Sequence, residues 1–132
     1  MQTAKGRILY VDEDEERGLV FANYLRIANY SVVTTEFASD ALHLAQNERF
    51  DLYLLSRRFP IEAGAYLCQR LYSISPETPM IFFSDNSNGD HQQEIIRTGA
   101  REFVVEAGDL VDMVSAVERL LSEVKEDKSV TV

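Results

Sequence analysis

The sequence predicts an α/β fold: a single doubly wound parallel sheet of five strands, with five helices. Two observations carry this. Short apolar runs alternate with amphipathic stretches along the chain, the pattern of successive βα units. The segment 51–64, DLYLLSRRFPIEAG, is an apolar run with a polar tip, followed by a Pro-containing loop and Gly64. A buried parallel strand delivers one functional side chain to the carboxyl edge of an open sheet in this way.

The elements follow in order. Residues 7–11 (RILYV) read as the first strand, ended by the acids Asp12, Glu13, Asp14, Glu15 and Glu16. Residues 17–28 carry Leu19, Val20, Ala22, Tyr24, Leu25 and Ile27 at helical spacings, and the preceding acids suit the helix's positive N-terminus. The β-branched SVVTT at 31–35 is the second strand. Ser39 is placed to cap a helix bearing Ala41, Leu42, Leu44 and Ala45. Residues 51–55 form strand three. A helix over 63–74 is expected to turn Ala65, Leu67, Cys68, Leu71 and Tyr72 inward. Pro79 leads into strand four at 80–83, and a Gly/Asn/Ser/Asp loop over 84–90 precedes a short polar helix ending near Gly99. Strand five is 102–105, and the last helix runs over about 110–124. The expected domain is therefore 1–124, with 125–132 a polar tail composed to fray.

Composition narrows the function. The chain has 132 residues, 45% of them hydrophobic, enough for one domain with a real core. No stretch approaches the ~18 apolar residues of a membrane helix, and the N-terminus lacks a signal-peptide pattern. The single cysteine, Cys68, excludes an internal disulfide and suits a reducing cytoplasm, where mid-helix on an apolar stripe it reads as an inert core thiol. A net charge of −9, from 13 basic and 22 acidic residues, argues against nucleic-acid binding by this domain. His43 and His91 show no metal-ligand spacing and read as solvated helix positions.

The motifs go further. ILYVDED ends strand one in paired acids, Asp12 and Glu13. Ser84 follows the apolar run MIFF, and the pair Gly99-Ala100 precedes strand five, which carries Phe103. Pro60 and Gly64 stand four and eight residues after position 56. Taken in order, over roughly residues 7–121, these resemble the receiver domain of two-component response regulators, a flavodoxin-like fold. In that family an Asp phosphoacceptor ends strand three, Ser or Thr ends strand four, and the strand-five aromatic reports activation by its rotamer. A Lys followed by Pro comes three residues after that aromatic.

This chain departs from the pattern at two positions. Ser56 stands where the acceptor Asp belongs, and Glu106, followed by Ala107, where the Lys belongs. In an intact receiver the carboxylate attacks a phosphoryl donor while Mg²⁺, held by the acids, neutralises charge on the phosphoryl oxygens. A serine hydroxyl is a poor nucleophile without an adjacent base and cannot form an acyl phosphate. Glu106 exchanges an attractive cation for an anion, and two like charges ~4 Å apart repel by about 4 kcal/mol at an effective dielectric near 20. The resemblance thus implies a degenerate pocket of Asp12, Glu13, Ser56, Ser84 and Glu106. No cofactor is expected, Asp12 and Glu13 being only weak candidates for Mg²⁺, joined by Asp85 and Glu106 as further oxygen ligands. Crowded carboxylates raise their pKa or recruit a cation. Arg58, turned by strand alternation to the Ser56 side, is the expected pocket cation, with Arg57 and Arg58 both solvated as the alternative.

The expected function is a phosphorylation-independent receiver acting in signal transduction as a protein-interaction module, not an enzyme, in the cytoplasm. The resemblance points to the fourth helix, fifth strand and fifth helix as the face for a protein partner or a homodimer. Leu110, Val111, Met113, Val114, Val117, Leu120 and Leu121 outnumber one inward stripe, a broad core-facing stripe being the alternative. Two other readings stand beside it: a regulator still modified or metal-bound through a non-standard carboxylate such as Asp12 or Asp85, and a regulatory domain excised from a longer regulator. A flavodoxin-like cofactor binder is disfavoured, because the loops after strands one and three lack a phosphate-cradling backbone.

Overall fold

The computed structural model describes residues 4–56, 61–84, 102–105 and 113–122; at 56, 61–65, 82–84 and 102–105 it describes the backbone. Within these, the order is β1 (Arg7–Val11), α1 (Glu15–Ile27), β2 (Ser31–Thr35), α2 (Ala38–Asn47), β3 (Leu52–Ser56), α3 (Ile61–Ile74), β4 (Met80–Ser84) and β5 (Glu102–Val105). Residues 113–122 form a C-terminal helix. The expected short helix before Gly99 lies outside the described residues.

The five strands form one parallel sheet in the order β2-β1-β3-β4-β5. The chain steps from β1 outward to β2, then crosses back to β3 on β1's other side. The strand order thus reverses between β1 and β3, the kind of position where open α/β sheets place their sites at the carboxyl ends.

Strand alternation divides the core between two layers of helices. On one face Ile8, Tyr10, Leu52, Leu54 and Ile81 pack with Phe21, Ala22 and Leu25 of α1 and with Met113, Ala116, Val117, Leu120 and Leu121 of the C-terminal helix. On the other, Leu9, Val11, Tyr53, Leu55 and Met80 meet Ala41 and Ala45 of α2 and Leu67, Cys68 and Leu71 of α3. Cys68 is fully buried there. Because both faces are covered, β1 and β3 bury every residue from Ile8 to Val11 and from Leu52 to Leu55, whereas the edge strand β2 is only partly buried.

Several local expectations change. Helix α1 starts at Glu15, with Asp14 as its N-cap accepting the Arg17 N–H at 3.1 Å. Phe37, not Ser39, holds the N-cap position of α2, and no side chain caps that helix. Its N–H instead donates to Thr35 Oγ1. Tyr72, expected inward, is 47% exposed, since Leu71 already fills the inward position beside it. On α1 the core takes Gly18, Phe21, Ala22 and Leu25, leaving Leu19, Val20, Tyr24 and Ile27 outside. The C-terminal helix gives Met113, Val117, Leu120 and Leu121 to the core, with Val114 partly buried against it. Its described apolar residues thus form the broad core-facing stripe.

Candidate functional site

The candidate site is built on the last residues of the strands. Register places Val11 opposite Leu55, so Asp12 and Ser56 are the next positions on adjacent strands. Ser56 is itself paired with Phe83, and Ser84 with Val105. Asp12, Ser56 and Ser84 therefore share one sheet edge. Phe103 pairs with Phe82 within the sheet. Glu106, Arg58, Arg57 and Asp85 lie outside the described residues, as do Pro60 and the Gly99-Ala100 pair.

Asp12 is the centre of what is described. Its N–H continues the β1–β2 ladder by donating to the Thr35 carbonyl at 3.0 Å. The residue is 3% exposed, and burial of a carboxylate is costly unless it is paired and hydrogen-bonded. It is both. Oδ2 accepts from the Tyr10 hydroxyl at 2.7 Å and from Arg17 Nε at 3.0 Å. Oδ1 accepts from the Asp14 N–H at 2.9 Å and from Arg17 Nη2 at 3.4 Å. Glu13, by contrast, is exposed.

The cation on Asp12 is thus Arg17, a residue the sequence reading did not single out. A signal for it existed. Arg17 stands in the first turn of α1, where the helix dipole disfavours a cation, and directly follows the acids 12–16. A positive residue there needs a specific acidic partner. Gly18, the next residue, is buried against the strand end, where a Cβ would make an ordinary 3.6 Å contact with Asp12 Cβ.

Beside Asp12 a cleft of about 330 Å³ opens between α1 and the β2–α2 connection, walled by Glu15, Thr34, Thr35, Glu36, Phe37 and Asp40. Its acids repel phosphate and other anions. A larger cleft of about 730 Å³ lies at the opposite sheet edge, between Lys5, Glu48, Asp51, Tyr53 and Thr78, away from these strand ends. Of the acids that the resemblance ties to Mg²⁺, only Asp12 and Glu13 are among the described residues. Asp12's oxygens are occupied by protein donors, and among the described residues no three His, Cys, Asp or Glu are grouped to hold a metal ion.

Comparison with known proteins agrees with the topology. The chain is 27% identical over 115 residues to the transcriptional activator protein IrlR of Burkholderia pseudomallei, covering 87% of this chain and 50% of that protein. It is 32% identical over 91 residues to the Fimbriae Z protein of Salmonella typhimurium, covering 69% and 43%. The chain thus spans about half the length of the curated relatives it matches. Among solved structures, a CheY-like receiver domain protein from Methanospirillum hungatei superposes with a TM-score of 0.85 at 21% identity, covering 96% of this chain and 99% of that one. The non-phosphorylated HemR receiver domain of Leptospira biflexa gives 0.80 at 27%, covering 89% and 95%. The family model of the response regulator receiver domain matches residues 8–118, from the first strand into the C-terminal helix, and the chain belongs to that family.

Proposed function

We propose that this receiver domain works in signal transduction without phosphorylation, as a protein-interaction module. One observation carries the reading: β3 ends on Ser56, beside Asp12 at the carboxyl edge, where the family places its acceptor carboxylate. A hydroxyl there has no acyl phosphate to offer. The engagement of Asp12 by Arg17 and Tyr10 supports it further, because the carboxylate is committed to the fold. In this reading the domain catalyses nothing, needs no cofactor, leaves nucleic acid alone and works in the cytoplasm.

The partner surface we favour is the outer side of α1. Leu19, Val20, Tyr24 and Ile27 leave it apolar and exposed, Ile27 by 82%. Isolated exposed apolar residues are ordinary, and it is the presence of four on one helix that favours this side for docking. A homodimer through the fourth helix, fifth strand and last helix is the alternative surface; most of it lies outside the described residues. The names of the matched relatives, activators and regulators of transcription, favour transcriptional control as the process served, with this domain as the regulatory part of a longer regulator.

The test is the intact mass of the chain after incubation with acetyl phosphate and Mg²⁺, beside a Ser56→Asp, Glu106→Lys variant. The expected result is a phosphoryl adduct on the variant alone. An adduct on the natural chain means that another carboxylate, such as Asp12 or Asp85, is the acceptor, and overturns the proposal.

A further inference from the structure

We propose that Arg17 is the resident cation of the acid pocket and bars a divalent metal from Asp12. The inference rests on the reading above of this pocket as the receiver's acid site, and adds what holds it shut.

An ionised carboxylate presents about four lone-pair sites. Asp12 has four donors on them: the Tyr10 hydroxyl, the Asp14 N–H, and Nε and Nη2 of Arg17. Mg²⁺ demands oxygen ligands at about 2.0–2.1 Å in near-octahedral geometry, so to bind here it must displace one of these donors. The guanidinium cannot leave by losing its proton. It also cannot swing freely into water, because its side chain is only 16% exposed and that of Asp12 2%. A dication at Asp12 would therefore sit against a fixed positive charge in a poorly solvated place, where repulsion is strong.

The arrangement is specific to where Arg17 stands. Three residues into α1, it faces the positive end of the helix dipole, and its ion pair with Asp12 offsets that cost. The pairing neutralises a buried carboxylate from within the chain, the task a metal performs in an intact receiver. Glu13, exposed and next in sequence, offers a divalent ion a single solvated carboxylate.

The experiment measures Mn²⁺ and Mg²⁺ affinity, by electron paramagnetic resonance and calorimetry, on the full chain. Three variants are compared: Ser56→Asp, Ser56→Asp with Arg17→Met, and Ser56→Asp with Arg17→Lys. Methionine keeps the apolar stem and drops the charge; lysine keeps the charge. The expected result is affinity at least about ten-fold higher for the methionine variant than for the other two. Equal affinities, including no binding by any of them, overturn the proposal, as does a gain by the lysine variant that matches methionine. The natural chain supplies a second readout that no misfolding can blur. The Arg17 Nε–H resonance should be unmoved by Mg²⁺, and a saturable shift overturns the proposal. A phosphoryl adduct on the natural chain would defeat the proposed function and leave this affinity ratio as it stands.

Discussion

The Tyr10 hydroxyl donates to Asp12 Oδ2 at 2.7 Å, two residues along the same face of β1. Strand alternation makes that contact available, and burial makes it matter. Tyr10→Phe keeps the ring that stacks with Phe21 at 6.2 Å and removes only the donor. A hydrogen bond to a charged group contributes about 1.5–3 kcal/mol, so Tyr10→Phe should lose that much in urea denaturation at neutral pH. A loss below about 0.5 kcal/mol, the range of a neutral surface change, would show that Arg17 alone suffices for Asp12.

Helix α1 holds Arg17 in place, and both of its ends are specified. At the start, Asp14 caps the Arg17 N–H. At the end, Tyr30 N–H reaches the Leu25 carbonyl and Asn29 N–H the Arg26 carbonyl, a Schellman closure that puts Asn29 at φ 75°. Asp14→Ala should cost about 1 kcal/mol. Asn29→Val should cost about 1–2 kcal/mol, because a β-branched residue is strained in the left-handed region, whereas Asn29→Gly should be neutral or slightly stabilising. Thermal melts of the three variants check the ordering. Asn29→Val as stable as Asn29→Gly would contradict it.

Much of this was readable in the chain. Short apolar or β-branched runs marked all five strands within a residue of their ends, most sharply β1 and β3, which are buried on both faces. The position of Ser56 at the tip of β3 followed from the Pro60 and Gly64 spacing. What could not be read was which cation answers Asp12. Arg58, offered by strand alternation, lies outside the described residues, whereas Arg17 reaches Asp12 from α1 through a helix-to-strand packing that only the folded structure displays. The inner and outer faces of α1 were equally hidden, since apolar residues sit all around it and periodicity alone does not choose between them. Tyr72 was misplaced for the same reason, lying next to Leu71 on the edge of the α3 stripe.

Alkaline pH should weaken the fold through two tyrosines. Burial raises the Tyr53 phenol above its ordinary 10.0, partly opposed by hydrogen bonds from the Thr78 and Ser75 hydroxyls. Tyr30 is raised by burial and then by the nearby Glu118 carboxylate. The folded state thus holds these protons after the unfolded chain has released them. Their contribution is intact below pH 10.0 and is lost as pH rises through the raised values. The melting temperature should fall across that window, and fall less steeply in Tyr53→Phe, which has no proton to lose. Parallel slopes for the two proteins would remove Tyr53 from the account.

The last prediction separates the two faces of α1. Leu25 is fully buried between the helix and the sheet, and Leu25→Ala should cost about 2–5 kcal/mol. Val20→Lys and Ile27→Lys change exposed positions and should stay within about 0.5 kcal/mol of the natural chain. If the outer face is the docking surface, a photoreactive residue at Ile27 should give a discrete crosslinked partner in the native cell. One at Ser115, exposed on the C-terminal helix, should not. Val20→Lys placed in the same chain should abolish the Ile27 adduct without altering the melting curve. A Ser115 adduct with none at Ile27 would move the partner to the C-terminal helix and leave the apolar side of α1 without a role in binding.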